Sequence, residues 1–416
     1  MDYLQQTIGF FSLLLVGAIF STNFKKIKLG YVASALIIQF FLAILLIKLP
    51  FITRLFEMLS KIVLSLKYAT DEGTAFVFGY LADGAPNAPF EVIEPSNTFI
   101  FVFGGLTLVI VISALSAILW HWRIIPFFVN ALAFLFKKPL NVGGPVGLSA
   151  TANIIFGQVE APLLIKPYLS TMTKRELLIL MTVGMATISG SVMVVFTTFL
   201  KDIYGTSLIG HFLIASVISV PAAIMYANIM MPDDEKTEFP TSYNTSLYKS
   251  SMDALTSGTT NGLSIFMNII ALLIVIIALI SLVNMCLLIF PDIYGMPLSL
   301  ERIMGWFFAP IAWCMGIPWS ESQVAGELLG VKTIFNEFIA YVNLSEITSN
   351  QLSERSRIIM LYALCGFANI GSVGILLSGI GSMVPERKDD LVMVSGRALI
   401  GAVLASCMTG YIVGIL

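Results

Sequence analysis

The chain has 416 residues, of which 57% are hydrophobic and only 12% charged, and its mean hydropathy is +0.91. Ordinary globular chains carry about twice that charge fraction, so a soluble globular domain is excluded and a polytopic helical membrane protein is expected. A net charge of −2 gives no footing for nucleic-acid binding or for a polybasic lipid anchor.

The N-terminal stretch "MDYLQQTIGFFSLLLVGAIF" has no basic residue before its apolar run and no clear cleavage site. Its positive charges follow in "NFKKIK". It reads as a retained transmembrane helix, not as a removed signal peptide. Further apolar spans follow, giving a set at roughly 7–21, 30–49, 98–120, 174–200, 207–230, 262–290, 355–383 and 391–415. Residues 51–80, 121–137 and 298–315 are amphipathic and are expected in the membrane interface. The clearly soluble stretch is the polar linker Met231 to Ser250. With the N-terminus outside, cations such as Lys25, Lys26, Lys28, Lys137, Lys138, Lys174, Arg175, Lys236, Arg387 and Arg397 fall inside. Lys48, Arg302, Lys332, Arg355 and Arg357 fall outside, a modest positive-inside bias.

Two segments resist this scheme: 141–170, "NVGGPVGLSATANIIFGQVEAPLLIKPYLS", and 318–343, "PWSESQVAGELLGVKTIFNEFIAYVNL". Each is apolar enough to enter the membrane, and each is interrupted by glycine and polar residues. Such a backbone cannot face lipid, because its amides and carbonyls would lose their partners. Both are read as re-entrant hairpins. They also resemble each other: an Ile-Phe step is followed closely by an acid, Glu160 in one and Glu337 in the other. Each precedes a span with a second shared signature, Gly184-Met-Ala-Thr187-Ile in the first and Gly366-Phe-Ala-Asn369-Ile in the second. The expected fold is therefore all-α: eight transmembrane helices plus two re-entrant hairpins arranged as an inverted repeat. Its parts are N-terminal scaffold helices and an interfacial helix at 1–140, the first repeat at 141–230 and the linker at 231–261. A scaffold span with an interfacial helix at 262–316 and the second repeat at 317–416 complete it. Paired interrupted segments of this kind point to a secondary transporter with a midplane site.

A carboxylate at mid-membrane costs about 2.5–3.5 kcal/mol even on lenient scales, so two at matched positions argue for a shared polar cavity. Glu160 and Glu337 suit a ligand rich in hydroxyl and NH donors; the structural alternative pairs them with Lys166 and Lys332. Gln158 and Asn369 have the mixed donor and acceptor capacity that reads a heterocycle or sugar edge, or else satisfy broken backbone. Asn153, Thr187 and Ile188 can form a small hard-cation site; alternatively Thr187 bonds back to its own helix. Phe367 can stack on a flat ligand or simply pack. His121 and His211 read as ordinary residues near span ends, and the four cysteines, Cys286, Cys314, Cys365 and Cys407, as small buried hydrophobes. No H-E-x-x-H, P-loop or Cys-His cluster occurs, so neither a metalloprotease nor an ATPase is expected, and no enzyme.

The stretches "GQVEAPLLIKPYL", "GMATISGSV", "VAGELLGVKTIFNEFIAY" and "CGFANIGSVGILL" resemble the concentrative nucleoside transporter family, and the resemblance covers the chain from about residue 95. It implies an elevator-type symporter, assembled as a homotrimer in the cytoplasmic membrane, that imports nucleosides of the uridine, cytidine and adenosine class. The resemblance puts Gly157, Gln158, Val159 and Glu160 on the nucleobase and Glu337, Asn369 and Ser372 on the ribose. Phe367 and Val192 would line the site. In sodium-coupled members the ion would fall on Asn153, the carbonyl of Phe156, Thr187 and Ile188. Proton-coupled members exist, so the ion stays open between sodium and proton. Val159 departs from the family's usual Thr or Ser, which implies altered base preference or weaker affinity. A symporter for small carboxylates would favour Arg or Lys at the hairpin tips, where this chain has acids. A lipid-acting membrane enzyme would need clustered metal-binding aspartates, which are lacking.

Overall fold

The structure is a computed structural model that describes residues 3–83, 100–129, 140, 142–204, 208–233, 235, 237, 247–293, 295–348 and 350–416. Its helices are α1 (Tyr3–Ile19), α2 (Leu29–Lys48), α3 (Pro50–Phe78), α4 (Leu108–His121, entered through a π turn at Val102–Leu106), α5 (Gly144–Ala152) and α6 (Glu160–Leu163). They continue as α7 (Lys174–Ala186), α8 (Gly190–Tyr204), α9 (Leu208–Met230), α10 (Ser251–Leu287) and α11 (Leu300–Cys314). The chain closes with α12 (Trp319–Ile334), α13 (Glu337–Glu346), α14 (Glu354–Ala363), α15 (Ile370–Met383) and α16 (Lys388–Ile415). Among the described residues the β structure is one isolated bridge, Ile293 with Met296.

Among the described residues six stretches are long and apolar enough to cross a membrane: Leu29–Lys48, Val102–His121, Lys174–Thr197, Leu208–Met230, Ser251–Leu287 and Pro385–Ile415. Tyr3–Ile19 and Ile370–Met383 are apolar but shorter. The chain is thus a multi-pass membrane protein, nearly all-helical among the described residues. Apolar side chains of α10 such as Met267, Ile274 and Leu282 are exposed, and in water such a belt would be an aggregation surface; in a bilayer it meets lipid tails.

Packing separates two groups of helices. In one, α4 lies along α10, where Gly258 and Gly262 let the backbones close up. A Cβ at either position would come within 2.8 Å of Ala114 Cα or 2.7 Å of Ile110 Cα. Small residues at such a crossing are the usual way to gain dispersion contact where no hydrophobic drive exists between helices. In the other group, α9 and α16 form the centre, and α2, α7 and α14 pack around them. α1 joins this body, not α4 and α10: it lies against α11 and α16.

The cations sort to opposite ends of the molecule. At one end Lys25, Lys26 and Lys28 line a cavity with Asn228 and Asp233. Nearby Thr22 N donates to Met230 O (2.8 Å), Arg175 donates to Asn228 and the Glu235 carbonyl, and Lys174 pairs with Asp390 (3.2 Å). At the other end Lys48 donates to Leu416 O (2.7 Å) and Arg355 to the carbonyls of Gly316 and Gly414.

The two interrupted segments each go in and return at one end. Both flanks of the first meet Thr237: its hydroxyl donates to Thr171 O (3.4 Å), and Gly143 lies so close that a Cβ would stand 2.6 Å from Thr237 O. The second starts at Gly316–Trp319 and comes back to Ser353, which donates to Glu321 at its start (3.0 Å). The first therefore begins and ends at the Lys25 end and the second at the Lys48 end.

Some expectations on local structure change. Helix α10 begins at Ser251, so the last eleven residues of the expected linker 231–261 are helical; Ser250 caps the helix by accepting from Asp253 N (3.1 Å). Cys286 is exposed and Cys314 only partly buried, while Cys365 and Cys407 are buried as expected. The expected interfacial stretch 121–137 is described only to 129, and Lys137, Lys138, Asn141 and Lys236 lie outside the described residues.

Candidate functional site

The first broken segment ends its helix α5 at Asn153, a C-cap that is 4% exposed. The Asn153 amide NH2 is held by the Val183 carbonyl (3.1 Å), the Gly184 carbonyl (3.4 Å) and the Thr187 hydroxyl. With Nδ2 so engaged, Oδ1 is left buried and without a hydrogen-bond partner. Thr187 closes α7 in extended geometry, and its hydroxyl donates to Val183 O (3.1 Å), the back-bonding considered above. Past it, Ile188 N reaches Ser216 Oγ (3.4 Å), and Gly190 N donates to Ile155 O (2.9 Å), tying the start of α8 to the hairpin. An orphaned, buried amide oxygen costs about 1–3 kcal/mol. An oxygen-seeking cation beside Thr187 removes that cost, so this donor set fits a small hard ion such as sodium.

The hairpin tip follows. Glu160, at the start of the short helix α6, turns its carboxylate back to accept from Gly157 N. Lys166 is exposed, and no ion pair joins it to Glu160. Gln158 is buried with Oε1 lacking a partner. Val159 packs on α15 at Gly379, where a Cβ would stand 2.7 Å from a Val159 methyl. Phe156 stacks edge-on against Trp120 of α4, with centroids 4.9 Å apart. Glu160 and Gly157 border a small open cavity. Its far wall comes from Ser113 of α4, Asn261 of α10 and Tyr248, and Ser189 and Ser191 complete it.

The second broken segment builds the other half. Asn336 caps α13 by accepting from Ile339 N (2.9 Å), which sets Glu337 in the first turn, 6% exposed. Asn369 Nδ2 donates to Glu337 Oε2 (2.8 Å), while Asn369 Oδ1 accepts from Ser372 N (2.7 Å) and so caps α15. Helix α13 is anchored by rings: Phe338 meets Phe196 (5.6 Å) and Tyr341 meets Phe196 (4.7 Å) and Phe212 (5.4 Å). Lys332 is 1% exposed, and its ammonium donates to Ala363 O (2.8 Å). Phe367 is half-buried and makes no ring contact among the described residues. Val192 is buried in the first turn of α8.

The two halves touch where their broken helices cross. Phe367 N donates to Thr187 O (3.3 Å). Gly366, at φ +141, brings its backbone so close that a Cβ would sit 2.8 Å from Ala186 O. The structure thus brings Asn153 to Thr187, and Glu337 to Asn369 and Ser372. Glu160 and Glu337 share no hydrogen bond. Sequence reading missed Tyr248 and Asn261, which lie in the stretch taken for linker, and missed Lys332 except as a structural partner. It also took His211 as ordinary, whereas its Nδ1 is hydrogen-bonded to the buried Tyr362 hydroxyl (2.8 Å). Glu327 of α12 accepts from Gln323 (3.1 Å).

Comparison with known proteins bears on this arrangement. Residues 211–414 match the family model for the C-terminus of the Na+ dependent nucleoside transporters, residues 8–81 its N-terminal counterpart, and residues 102–202 a nucleoside recognition domain. The chain is 32% identical to the nucleoside permease NupC of Helicobacter pylori over 99% of its length and 97% of that protein. It is 31% identical to a putative nucleoside permease, NupX, of Escherichia coli, over 100% and 99% of the two chains. It is 34% identical to human solute carrier family 28 member 3 over 91% of this chain and 55% of that one. The solved structure of CNTnw in an inward-facing, substrate-bound state superposes with a TM-score of 0.89 at 30% identity, covering 100% of this chain and 98% of that one. An outward-facing variant of the same transporter superposes with a TM-score of 0.88 at 29% identity, covering 99% and 97%.

Proposed function

The chain belongs to the Na+ dependent, concentrative nucleoside transporter family, and on that premise we propose that it is a sodium-driven symporter importing nucleosides of the uridine, cytidine and adenosine class. Its place would be the cytoplasmic membrane, with the Lys25 end inside. Eight spans and two re-entrant hairpins make the fold, with the first repeat at 141–230 and the second at 317–416. It works as a homotrimer by an elevator motion. The bare apolar face of α10 offers room for lipid and for protomer contact.

The observation that carries the reading is the pair of half-built sites on one crossing. Asn153 Oδ1 and Gln158 Oε1 are buried without partners on the first hairpin, and Glu337 is aimed by Asn369 on the second. Buried neutral acceptors without partners are a poor core, and with a positioned carboxylate beside them they are a good receptor for a ribose and a base. In this reading Gly157, Gln158, Val159 and Glu160 meet the base, and Glu337, Asn369 and Ser372 the ribose hydroxyls. Phe367 and Val192 line the pocket. The ion sits among Asn153, Thr187 and the carbonyls of Phe156 and Ile188. Because these ligands stand on α5, α7 and the crossing that also positions Phe367, ion binding stiffens the frame the nucleoside needs. Coupling is then a difference in nucleoside affinity between the ion-bound and ion-free states.

The direct test is thermal stabilisation of the purified protein by uridine, in sodium against choline buffer. Stabilisation that needs both uridine and sodium supports the reading, and stabilisation that ignores the cation removes its sodium part. Carboxylate metabolites serve as the contrasting ligands.

A further inference from the structure

Asn153 and Lys332 hold the same place in the two repeats. Each stands three residues before the phenylalanine, Phe156 or Phe335, at which its hairpin breaks. Each is buried, and each donates to carbonyls near the end of the first half of the broken helix that follows. For Asn153 these are Val183 O and Gly184 O, in the last turn of α7. For Lys332 it is Ala363 O, the last residue of α14. The carbonyl end of a helix carries partial negative charge and favours a cation.

The two residues meet that demand differently. Asn153 is neutral, and its Oδ1 lacks a partner. Lys332 brings an ammonium. No ion pair joins Lys332 to Glu337, whose carboxylate is held by Asn369 in the second repeat. Glu160 has no cation bonded to it in the first, since Lys166 is exposed.

We infer that the Lys332 ammonium is the second repeat's tethered cation, standing where the first repeat is built to take a mobile one. The inference rests on the sodium-coupled reading above. It makes the molecule one-ion by construction: of two related positions, one is filled covalently.

The experiment is paired flux of radioactive sodium and nucleoside in proteoliposomes, for the wild type, Lys332→Asn and Lys332→Met. The wild type should carry one sodium per nucleoside with a hyperbolic sodium dependence. Lys332→Asn, which installs the first repeat's residue, should carry two, with a sigmoidal dependence. Lys332→Met keeps an unbranched side chain, one atom shorter, and drops the charge. It should bind nucleoside roughly tenfold more weakly or worse, since the carbonyl end of α14 loses its buried cation, while its half-saturating sodium stays within about twofold of the wild type. If Lys332→Asn does not reconstitute, the methionine variant is read by sodium- and nucleoside-dependent melting in detergent. Two sodium ions per nucleoside in the wild type overturn the inference. So does a methionine variant with wild-type nucleoside affinity, or an asparagine variant with one ion and an unchanged sodium curve. Wild-type uptake indifferent to sodium would instead overturn the underlying reading.

Discussion

Asn369 holds Glu337 with one end of its amide and caps α15 with the other: Nδ2 donates to Glu337 Oε2 at 2.8 Å, and Oδ1 accepts from Ser372 N at 2.7 Å. The hairpin carboxylate and the start of the second half-helix therefore move as one piece. A ligand that engages Glu337 also reports on the position of α15, and through Gly379 on Val159 of the first hairpin.

Asn369→Asp separates the two roles. Aspartate still caps α15, but it sets a second acid against Glu337. Uptake should fall by at least about tenfold, while the melting temperature drops less than in Asn369→Ala, which also forfeits a cap of about 1 kcal/mol. Equal melting losses in both variants with retained uptake would remove the proposed role of the pair.

At the ion position, Asn153→Leu fills space and deletes the orphaned oxygen. Half-saturating sodium should rise by about tenfold or more, in line with loss of a charge-assisted contact of roughly 1.5–3 kcal/mol. Thr187→Val should move it the same way. Sodium titration of nucleoside uptake checks both, and an unmoved curve would place the ion elsewhere.

Val159 and Gly379 form a packing contact between the repeats. Gly379→Ala puts a methyl 2.7 Å from a Val159 side-chain carbon, so the hairpin tip must shift and uptake should drop several-fold; Gly379→Ala with Val159→Ala should recover part of it. Val159→Thr keeps the shape and restores a hydroxyl near the base. It should change the ratio of uridine to adenosine uptake, with an effect of about 0.5–1.5 kcal/mol for one hydrogen bond; competition uptake with the two nucleosides decides it.

Gly366 is fixed by geometry. At φ +141 and with Ala186 O in the path of any Cβ, Gly366→Ala should destabilise the protein by at least about 2 kcal/mol. A melting curve within a degree of the wild type would show that the crossing is more forgiving than its backbone suggests.

Much of this was legible because the signals were local. The interruptions at Asn153–Val159 and Phe335–Asn336 announced themselves as glycine and polar residues in apolar runs. The shared Gly-x-Ala-[Thr/Asn]-Ile signature marked both helix breaks, and both Asn336 and Asn369 are residues that cap helices. What stayed hidden depends on distance along the chain. Tyr248 and Asn261 face Glu160 across a cavity, yet sequence places them in a polar stretch with no periodic apolar face. The start of α10 was missed there too, although Ser250 and Asp253 form a legible cap. The link between His211 and Tyr362 joins α9 to α14, which no local pattern announces. Lys332 was visible as a charge, but its meaning needed the Ala363 carbonyl and the matching bonds of Asn153.

The most direct test of the central claim is uptake of radiolabelled uridine into proteoliposomes under an inward sodium gradient, with a pH gradient as the comparison arm and Glu337→Gln as the control. The account predicts concentrative uptake driven by sodium, indifferent to the pH gradient and abolished by Glu337→Gln. Uptake driven by protons alone would contradict the sodium site at Asn153 and Thr187, and no uptake of uridine or adenosine under either gradient would contradict the substrate.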